Sequence, residues 1–329
     1  MNKCWMLALG VLAVLAGCES ESAGTGGTGG AAGTGGTGGT GGSARACATD
    51  IAVGEVQAFG DPTPLVRSEG ITFDADGTLY VSVQDPGDDQ VLDQLVDVAP
   101  DGSNEKVAEA ESMLGLESDA RGIVAAGINT SSILLIDPSD GSHVVVASGP
   151  PLVDPNFVVT TAWDTILVSD DRRGEGTIYE VTWEGDVSTW VEGVPSPNGM
   201  VFSLDGSTLY VAATFEDLDT SFEEVGLWTV TVSNGEAGTP EKWVDFDDSS
   251  APDGVAIDSE GNVYVALNTA GQIAKVDLEG NVTTLATGLL GPASLAFGQD
   301  EFDPCSLYAT SLFGTQLSRI GAGIPGTQK

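Results

Sequence analysis

One register of the chain places oxygen-bearing side chains at regular intervals. Its six positions are Glu69, Leu114, Asn156, Asn198, Asp253 and Ala293. They are separated by 45, 42, 42, 55 and 40 residues, and four of the six side chains carry carboxylate or amide oxygens. Such oxygens are the hard ligands that Ca²⁺ prefers in proteins. If the fold brings the four side chains together, they form an all-oxygen cation site. Whether it does so depends on the secondary-structure elements that carry them.

Each of these positions begins the same pattern of a short apolar strand, a polar turn and a second strand. The clearest copies read EGITFDADGTLYVS, PNGMVFSLDGSTLYVAA and PDGVAIDSEGNVYVAL. Val, Ile, Tyr, Phe and Thr fill the strands and Asp-Gly dipeptides interrupt them, which is typical of β-hairpins. A strand-built repeat of this length is typical of β-propellers. We therefore predict an all-β fold, a six-bladed β-propeller.

Further strands in most units complete the predicted blades. Third strands read GTIYEVTW and QIAKVDLEG, and fourth strands read VSTWVEG and VTTLATG. Six blades of four antiparallel strands need about 270 residues, so residues 47–329 accommodate one propeller domain and no other. The last unit has only three strands. We expect the early segment IAVGEVQAF to supply the missing outer strand and close the ring.

The N-terminus is typical of an exported protein. Lys3 and an apolar run precede Leu15-Ala16-Gly17-Cys18, a sequence that resembles a bacterial lipoprotein signal. We predict a signal peptide over residues 1–17, a lipid-modified Cys18 and a flexible Gly/Thr-rich tether over residues 18–46. The protein would then be anchored to the cell envelope and contact the membrane only through this lipid. An ordinary secretory signal, with no role for Cys18, is the alternative.

Two cysteines remain in the predicted mature domain, Cys47 and Cys305. Cys47 lies just before the predicted closing strand and Cys305 lies in the last blade. A disulfide between them would join the two ends of the ring in an oxidising compartment. Two unrelated thiols are the alternative.

Charge and composition exclude several classes of function. The chain has 49 acidic and 11 basic residues and a formal net charge of −38. Such a field repels nucleic acid and anionic membranes, whose binding depends on Lys and Arg. The one histidine, His143, lies in a polar turn. A zinc site and a Ser-His-Asp mechanism are therefore not expected.

The predicted fold explains how the register could form a site. The first strand of each propeller blade lines the central channel, so residues just ahead of these strands converge at one mouth. Glu69, Asn156, Asn198 and Asp253 would face one another there and bind Ca²⁺. The alternative is that Asn198 and Asp253 are turn formers, because Pro-Asn-Gly and Pro-Asp-Gly are strong turn sequences. Glu69 is a poor turn former.

The same three copies resemble the senescence marker protein, gluconolactonase and regucalcin-like family of six-bladed propellers, over residues 51–320. The resemblance implies that Glu69, Asn198 and Asp253 bind a divalent cation and that Asn156 contacts substrate. It also implies that Asp253 is the general base. Sugar-lactone members commonly place an arginine two residues before the third-blade asparagine, and this chain has Asp154 there. A gluconolactone substrate is therefore in doubt.

These observations lead to a functional hypothesis with alternatives. We expect calcium-dependent hydrolysis of a lactone or related small-molecule ester by a monomer. Arg172 and Arg173 would hold a substrate carboxylate or phosphate, unless they only pair with Asp170 and Asp171. The main alternative is a non-catalytic envelope propeller with structural calcium that binds a protein or glycan. A lyase or phosphotriesterase on the same scaffold also stays open, because fold does not fix function.

Overall fold

A computed structural model of the chain describes residues 47, 50–62, 65–84, 92–171, 176–214 and 225–327. These residues form a series of antiparallel strands that divide into six sheets. β1 (Val56–Phe59) is followed by the four strands of the first blade, β2 (Ser68–Phe73), β3 (Leu79–Val83), β4 (Asp93–Val98) and β5 (Asn104–Ala110). The second blade contains β6 (Leu116–Asp119), β7 (Gly122–Gly127), β8 (Ser132–Ile136) and β9 (His143–Ser148).

The remaining blades repeat this arrangement. The third contains β10 (Pro155–Thr160), β11 (Ile166–Asp170), β12 (Thr177–Val181) and β13 (Val187–Glu192). The fourth contains β14 (Pro197–Phe202), β15 (Thr208–Ala213), β16 (Gly226–Ser233), the short β17 (Glu236–Ala237) and β18 (Glu241–Asp245). The fifth contains β19 (Pro252–Ile257), β20 (Val263–Leu267), β21 (Gln272–Val276) and β22 (Val282–Thr287), and the sixth begins with β23 (Pro292–Phe297), β24 (Ser306–Ser311) and β25 (Leu317–Gly321).

The N-terminal strand completes the sixth blade, which confirms the predicted closure of the ring. β1 pairs antiparallel with β25, from Val56 opposite Ile320 to Phe59 opposite Leu317. The sheet therefore runs β1-β25-β24-β23. Cys47 and Cys305 form a disulfide beside this seam, with their Cα atoms 5.2 Å apart. The two ends of the domain are thus joined by main-chain hydrogen bonds and by one covalent bond.

The core lies between neighbouring blades. The innermost strand β2 and its neighbour β3 are buried along their whole length, whereas most residues of the outer strand β5 are exposed or only partly buried. Where the ring closes, the Phe59 ring meets Tyr308 at a centroid distance of 5.0 Å, and Phe73 meets Phe302 at 5.0 Å. Such edge-to-face pairs add about 0.5–1.5 kcal/mol each beyond the apolar area that they bury.

Strand direction fixes which face carries each connection. Innermost strands run from one mouth of the channel to the opposite face, so the turns between first and second strands lie on that opposite face. The C-terminal segment also lies there, because Ser259 donates its backbone N–H to the oxygen of Pro325 at 2.9 Å and Asp258 forms a bridge with Gly326. Thr327 lines a cavity of about 150 Å³ between the innermost strands. Over the residues described, no helix is long and apolar enough to cross a membrane.

Candidate metal and active site

The marked residues lie inside the innermost strands and not merely ahead of them. Five occupy the second position of their strand: Glu69, Asn156, Asn198, Asp253 and Ala293. In each of these strands the pairing register shifts at that position, so that one extra residue bulges from the ladder. Leu114 instead precedes β6. Bulges re-aim a side chain and are frequent beside active sites.

Close backbone packing holds the bulges of neighbouring blades together. A Cβ added to Gly70 would lie 2.1 Å from the main-chain oxygen of Leu114, and one added to Gly199 would lie 2.5 Å from that of Asp253. Neither distance is possible for a real Cβ, so glycine is required immediately after the marked residue in these blades. The marked residues of adjacent blades therefore sit almost in backbone contact at one mouth of the channel.

Hydroxyl groups on the second strands link neighbouring blades at the same level. Ser82 accepts the Gly70 N–H at 2.7 Å and donates to the oxygen of Leu114 in the next blade at 2.7 Å. Thr310 accepts the Ser294 N–H at 2.8 Å and donates to the oxygen of Glu69 at 2.6 Å. These bonds satisfy backbone groups that the bulges remove from the ladder.

Three of the four polar marked residues have a side-chain partner 15 residues later in their own blade. Gln84 donates to Glu69 Oε2 at 3.2 Å, and Asn268 donates to Asp253 Oδ2 at 3.1 Å. Asn156 donates through Nδ2 to Asp171 Oδ2 at 3.3 Å. The partners follow the second strand, which returns to the mouth. They fix the orientation of the marked side chains.

Asn198 lacks a partner of this kind. Thr214 takes the corresponding place in its blade, but its hydroxyl donates to the oxygen of Pro252 in the next blade at 2.5 Å. The Asn198 amide lies close enough to the Asp253 carboxyl group to lower its pKa. Asn198 is only 4% exposed, and its Oδ1 is one of two buried polar side-chain atoms in the described part of the chain that have no hydrogen-bond partner. A buried carbonyl oxygen without a partner costs free energy unless something absent from the protein chain binds it.

The two marked carboxyl groups are buried close to each other. Desolvation raises the pKa of Glu69 to about 7, and Arg67 opposes part of this shift. Desolvation also raises the pKa of Asp253 well above its ordinary value, and the charge of Glu69 raises it further. Asp171 adds to the negative field at both groups. A positive charge bound between them would reverse these penalties.

A divalent cation fits these residues. The carboxylates of Glu69 and Asp253 and the unpartnered Asn198 Oδ1 supply three hard oxygen donors, and water or substrate would complete the coordination. Among the residues that the structure describes, no cluster of three or more His, Cys, Asp or Glu side chains is placed to hold a metal ion. The fit therefore depends on the amide oxygen as the third ligand.

The structure places the predicted site residues as follows. Asn198 and Asp253 are in contact, Glu69 is within electrostatic range of Asp253, and Asn156 is connected to both carboxyl groups through Asp171. Both Asn198 and Asp253 lie in strands and not in turns. Cys18, Arg172 and Arg173 lie outside the described residues.

Sequence reasoning missed the residues that orient the site. From the sequence, Asp171 is expected only as a local partner for arginine, yet in the structure it accepts hydrogen bonds from Asn156 and Ser196. Gln84 and Asn268 were not singled out. The constant offset of 15 residues from the marked positions is the signal that identifies them.

The residue two places ahead of the marked position is left-handed in four blades. These residues are Arg67, Ser196, Ala251 and Gly291, with φ angles of 59°, 41°, 46° and 63°. In each blade the main-chain oxygen of this residue accepts the N–H that follows the second strand, as in the 3.1 Å bond from Gln84 to Arg67. Such a conformation costs about 1–3 kcal/mol in a non-glycine residue and concentrates at functional sites.

Comparisons with known proteins agree with this architecture. The chain is 27% identical over 154 residues to pentonolactonase XacC of Haloferax volcanii, covering 46% of this chain and 50% of that protein. It is 25% identical over 164 residues to regucalcin of Xenopus laevis, covering 48% and 52%. The matched region thus spans about half the length of these curated relatives.

Solved structures show the same fold. A gluconolactonase from Xanthomonas campestris superposes with a TM-score of 0.66 at 18% identity, over 83% of this chain and 89% of that one. Regucalcin from Agrobacterium tumefaciens, described as a calcium-binding protein, gives a TM-score of 0.65 at 20% identity over 82% and 94%. The model of the "SMP-30/Gluconolactonase/LRE-like region" matches residues 67–312. That match covers most of the propeller, and the chain belongs to the SMP-30/gluconolactonase/LRE-like family.

Proposed function

We propose that this protein hydrolyses a lactone or related ester with the help of a calcium ion held by Glu69, Asn198 and Asp253. The single observation that carries the proposal is the buried, unpartnered Oδ1 of Asn198, whose amide acts on the Asp253 carboxyl group, which in turn is within range of the Glu69 charge. Calcium, when bound, would polarise the carbonyl and stabilise the developing negative charge. The similarity to a pentonolactonase and a gluconolactonase supports the lactone as substrate class.

Asp253 is the proposed general base. Asp253 is buried at the mouth of the channel, where its carboxylate can accept a proton from a water molecule beside the bound ion. Asp253 takes a proton from the water that adds to the carbonyl carbon. It then returns the proton to the ring oxygen as the carbon–oxygen bond breaks, so the product is a hydroxy acid. Asn268 holds Asp253 in place at 3.1 Å during these transfers.

Asn156 and Asp171 are proposed to orient the substrate. The Asn156 side chain is only 8% exposed and donates to Asp171, so its orientation is fixed before any ligand arrives. The third-blade position that holds arginine in sugar-lactone relatives holds Asp154, whose backbone accepts the Asp171 N–H at 3.0 Å. This favours a lactone other than a gluconolactone. We further propose the envelope location and N-terminal lipid anchor that the leader sequence predicts.

The test measures calcium binding and turnover together. Acid release from a panel of lactones is followed with excess calcium and with chelator, for the wild-type protein, Asp253→Asn and Glu69→Gln. Glu279→Gln is the matched control, because Glu279 is an exposed residue in a turn on the opposite face. We expect both mouth variants to lose at least about a hundredfold in kcat/KM and the control to lose nothing. Calcium binding at Asp253 without turnover of any lactone would refute the enzyme and favour the non-catalytic propeller.

A further inference from the structure

One sector of the channel mouth is apolar and exposed. In the sixth blade the marked position is Ala293, and the nearby Leu290 and Phe313 are 62% and 63% exposed. Leu290 precedes β23, and Phe313 lies in the connection from β24 to β25, so both stand on the face that carries the candidate metal ligands. The sixth blade separates the blade of Asp253 from the blade of Glu69. The apolar sector formed by Leu290 and Phe313 therefore lies in the blade between those that carry the proposed metal ligands Asp253 and Glu69.

The connection that carries Phe313 is held in a defined conformation. The Ser311 hydroxyl donates to the oxygen of Leu290 at 2.5 Å and accepts the Gly314 N–H at 2.9 Å. Phe313 itself donates its backbone N–H to the same Leu290 oxygen at 3.2 Å. Three hydrogen bonds thus fix a loop whose largest side chain faces solvent. Single exposed apolar side chains are ordinary, but these two residues are hydrogen-bonded to each other through their backbones at the channel mouth.

Gly291 makes room for the aromatic ring. A Cβ at this position would lie 2.5 Å from Phe313 Cδ2. Gly291 is the equivalent of Arg67, Ser196 and Ala251, which carry side chains in their own blades. In the sixth blade the Phe313 ring takes the space of that side chain. The sixth blade thus has an aromatic ring at a position where Arg67, Ser196 and Ala251 stand in three of the other blades.

We propose that Leu290 and Phe313 form a subsite for an apolar substituent of the substrate, an alkyl or aryl group on the lactone ring. This inference rests on the proposed lactonase function. A ring carbonyl near Glu69 and Asp253 places a substituent of a few carbons against the sixth blade, which lies between them. A polyhydroxylated sugar lactone gains less from such an apolar wall, because it carries less apolar surface and its hydroxyl groups lose hydration against Leu and Phe.

The experiment uses a homologous series of lactones. kcat/KM is measured in calcium for γ-butyrolactone and its γ-butyl, γ-hexyl and γ-octyl derivatives, with the wild-type protein and Leu290→Ser/Phe313→Ser. Leu278→Ser is the matched control, because Leu278 is 63% exposed but lies in the turn between β21 and β22 on the opposite face. Full burial of a methylene corresponds to about a fourfold gain. We expect roughly twofold for each added methylene in the wild type and control, since the wall covers one side of the chain, and no gain in the double variant.

Two results would overturn the subsite: a wild-type rate that does not increase with chain length, or an increase that survives in the double variant. If no lactone in the series is hydrolysed, the proposed function fails for γ-lactones, and binding of the corresponding γ-alkyl lactams decides the subsite separately. Calorimetric affinity that rises with chain length in wild type and control, and not in the double variant, would support it. Affinity independent of chain length would refute it.

Discussion

The Asn198 amide lowers the pKa of the buried Asp253 carboxyl group, and its own Oδ1 is buried without a hydrogen-bond partner. The pair therefore combines a buried carboxyl group with a buried amide oxygen that has no partner. An arrangement of this kind is unfavourable in an empty protein and favourable around a cation. The free energy of unfolding should therefore depend on whether a cation is bound at this site.

The first prediction concerns the amide oxygen itself. Asn198→Ala removes the unpartnered Oδ1, whereas Asn198→Asp keeps an oxygen at that place. We expect calcium affinity, measured by calorimetry, to fall about tenfold or more in the alanine variant and to be largely retained in the aspartate variant. Equal losses in both variants would show that the oxygen is not a ligand.

The second prediction concerns pH and the metal-free protein. Burial raises the pKa of Glu69 from 4.5 to about 7. The native state then holds this proton more tightly than the unfolded chain, so the associated stability is complete below about pH 4.5 and is lost as pH rises through about 7. We expect the melting temperature in chelator to fall between pH 5 and pH 8, and excess calcium to remove much of that fall.

Surface repulsion in so acidic a chain also lowers stability as pH rises, so a matched pair of variants separates the two effects. Glu69→Gln should flatten the pH dependence in chelator, because glutamine does not titrate. Glu279→Gln removes an exposed carboxylate and should leave the dependence as in the wild type. Identical curves for both variants would contradict the assignment.

The third prediction treats Asn268 as a positioning residue. Its hydrogen bond lowers the pKa of Asp253, so Asn268→Ala should raise that pKa further and shift the acidic limb of the kcat/KM profile to higher pH. We expect kcat to fall about 10- to 100-fold. Asn281→Ala is the control, because Asn281 makes the analogous bond to Asp277 in an exposed turn on the opposite face. A lower kcat with an unshifted profile would indicate a purely structural role.

The fourth prediction concerns the seam of the ring. Replacing Cys47 and Cys305 by alanine should lower the free energy of unfolding by about 2–5 kcal/mol, because the crosslink closes a very long loop. Calcium affinity at 25 °C should not change, since the disulfide lies away from the mouth. Denaturant unfolding of the variant and of the reduced wild-type protein should agree. A variant as stable as the oxidised wild type would refute the prediction.

The fold was predictable to a large extent because each repeat consists of strand-forming residues separated by turn dipeptides. The pattern around Glu69, Asn198 and Asp253 fixed the innermost strands, and the missing outer strand in the last unit pointed to β1. The strands that these local patterns predict are found in the structure because each blade packs in the same way.

The finer features of the site were not predictable from residue types. The bulges depend on backbone packing between blades, and Gly70 and Gly199 resemble ordinary turn glycines in the sequence. Asp171 looked like one acidic residue among many. The exposure of Phe313 depends on which face a short connection occupies, and an isolated aromatic residue in the sequence does not indicate this.

The closure of the ring also determines the order in which the domain can mature. β1 is synthesised before every other strand of the propeller, yet its partner β25 is the last. Ile320 must therefore emerge before Val56 finds its place, and the sixth blade stays incomplete through most of synthesis. A nascent chain can assemble five blades in sequence, but the ring and the disulfide form only when the whole domain has been delivered to one side of any barrier that it crosses.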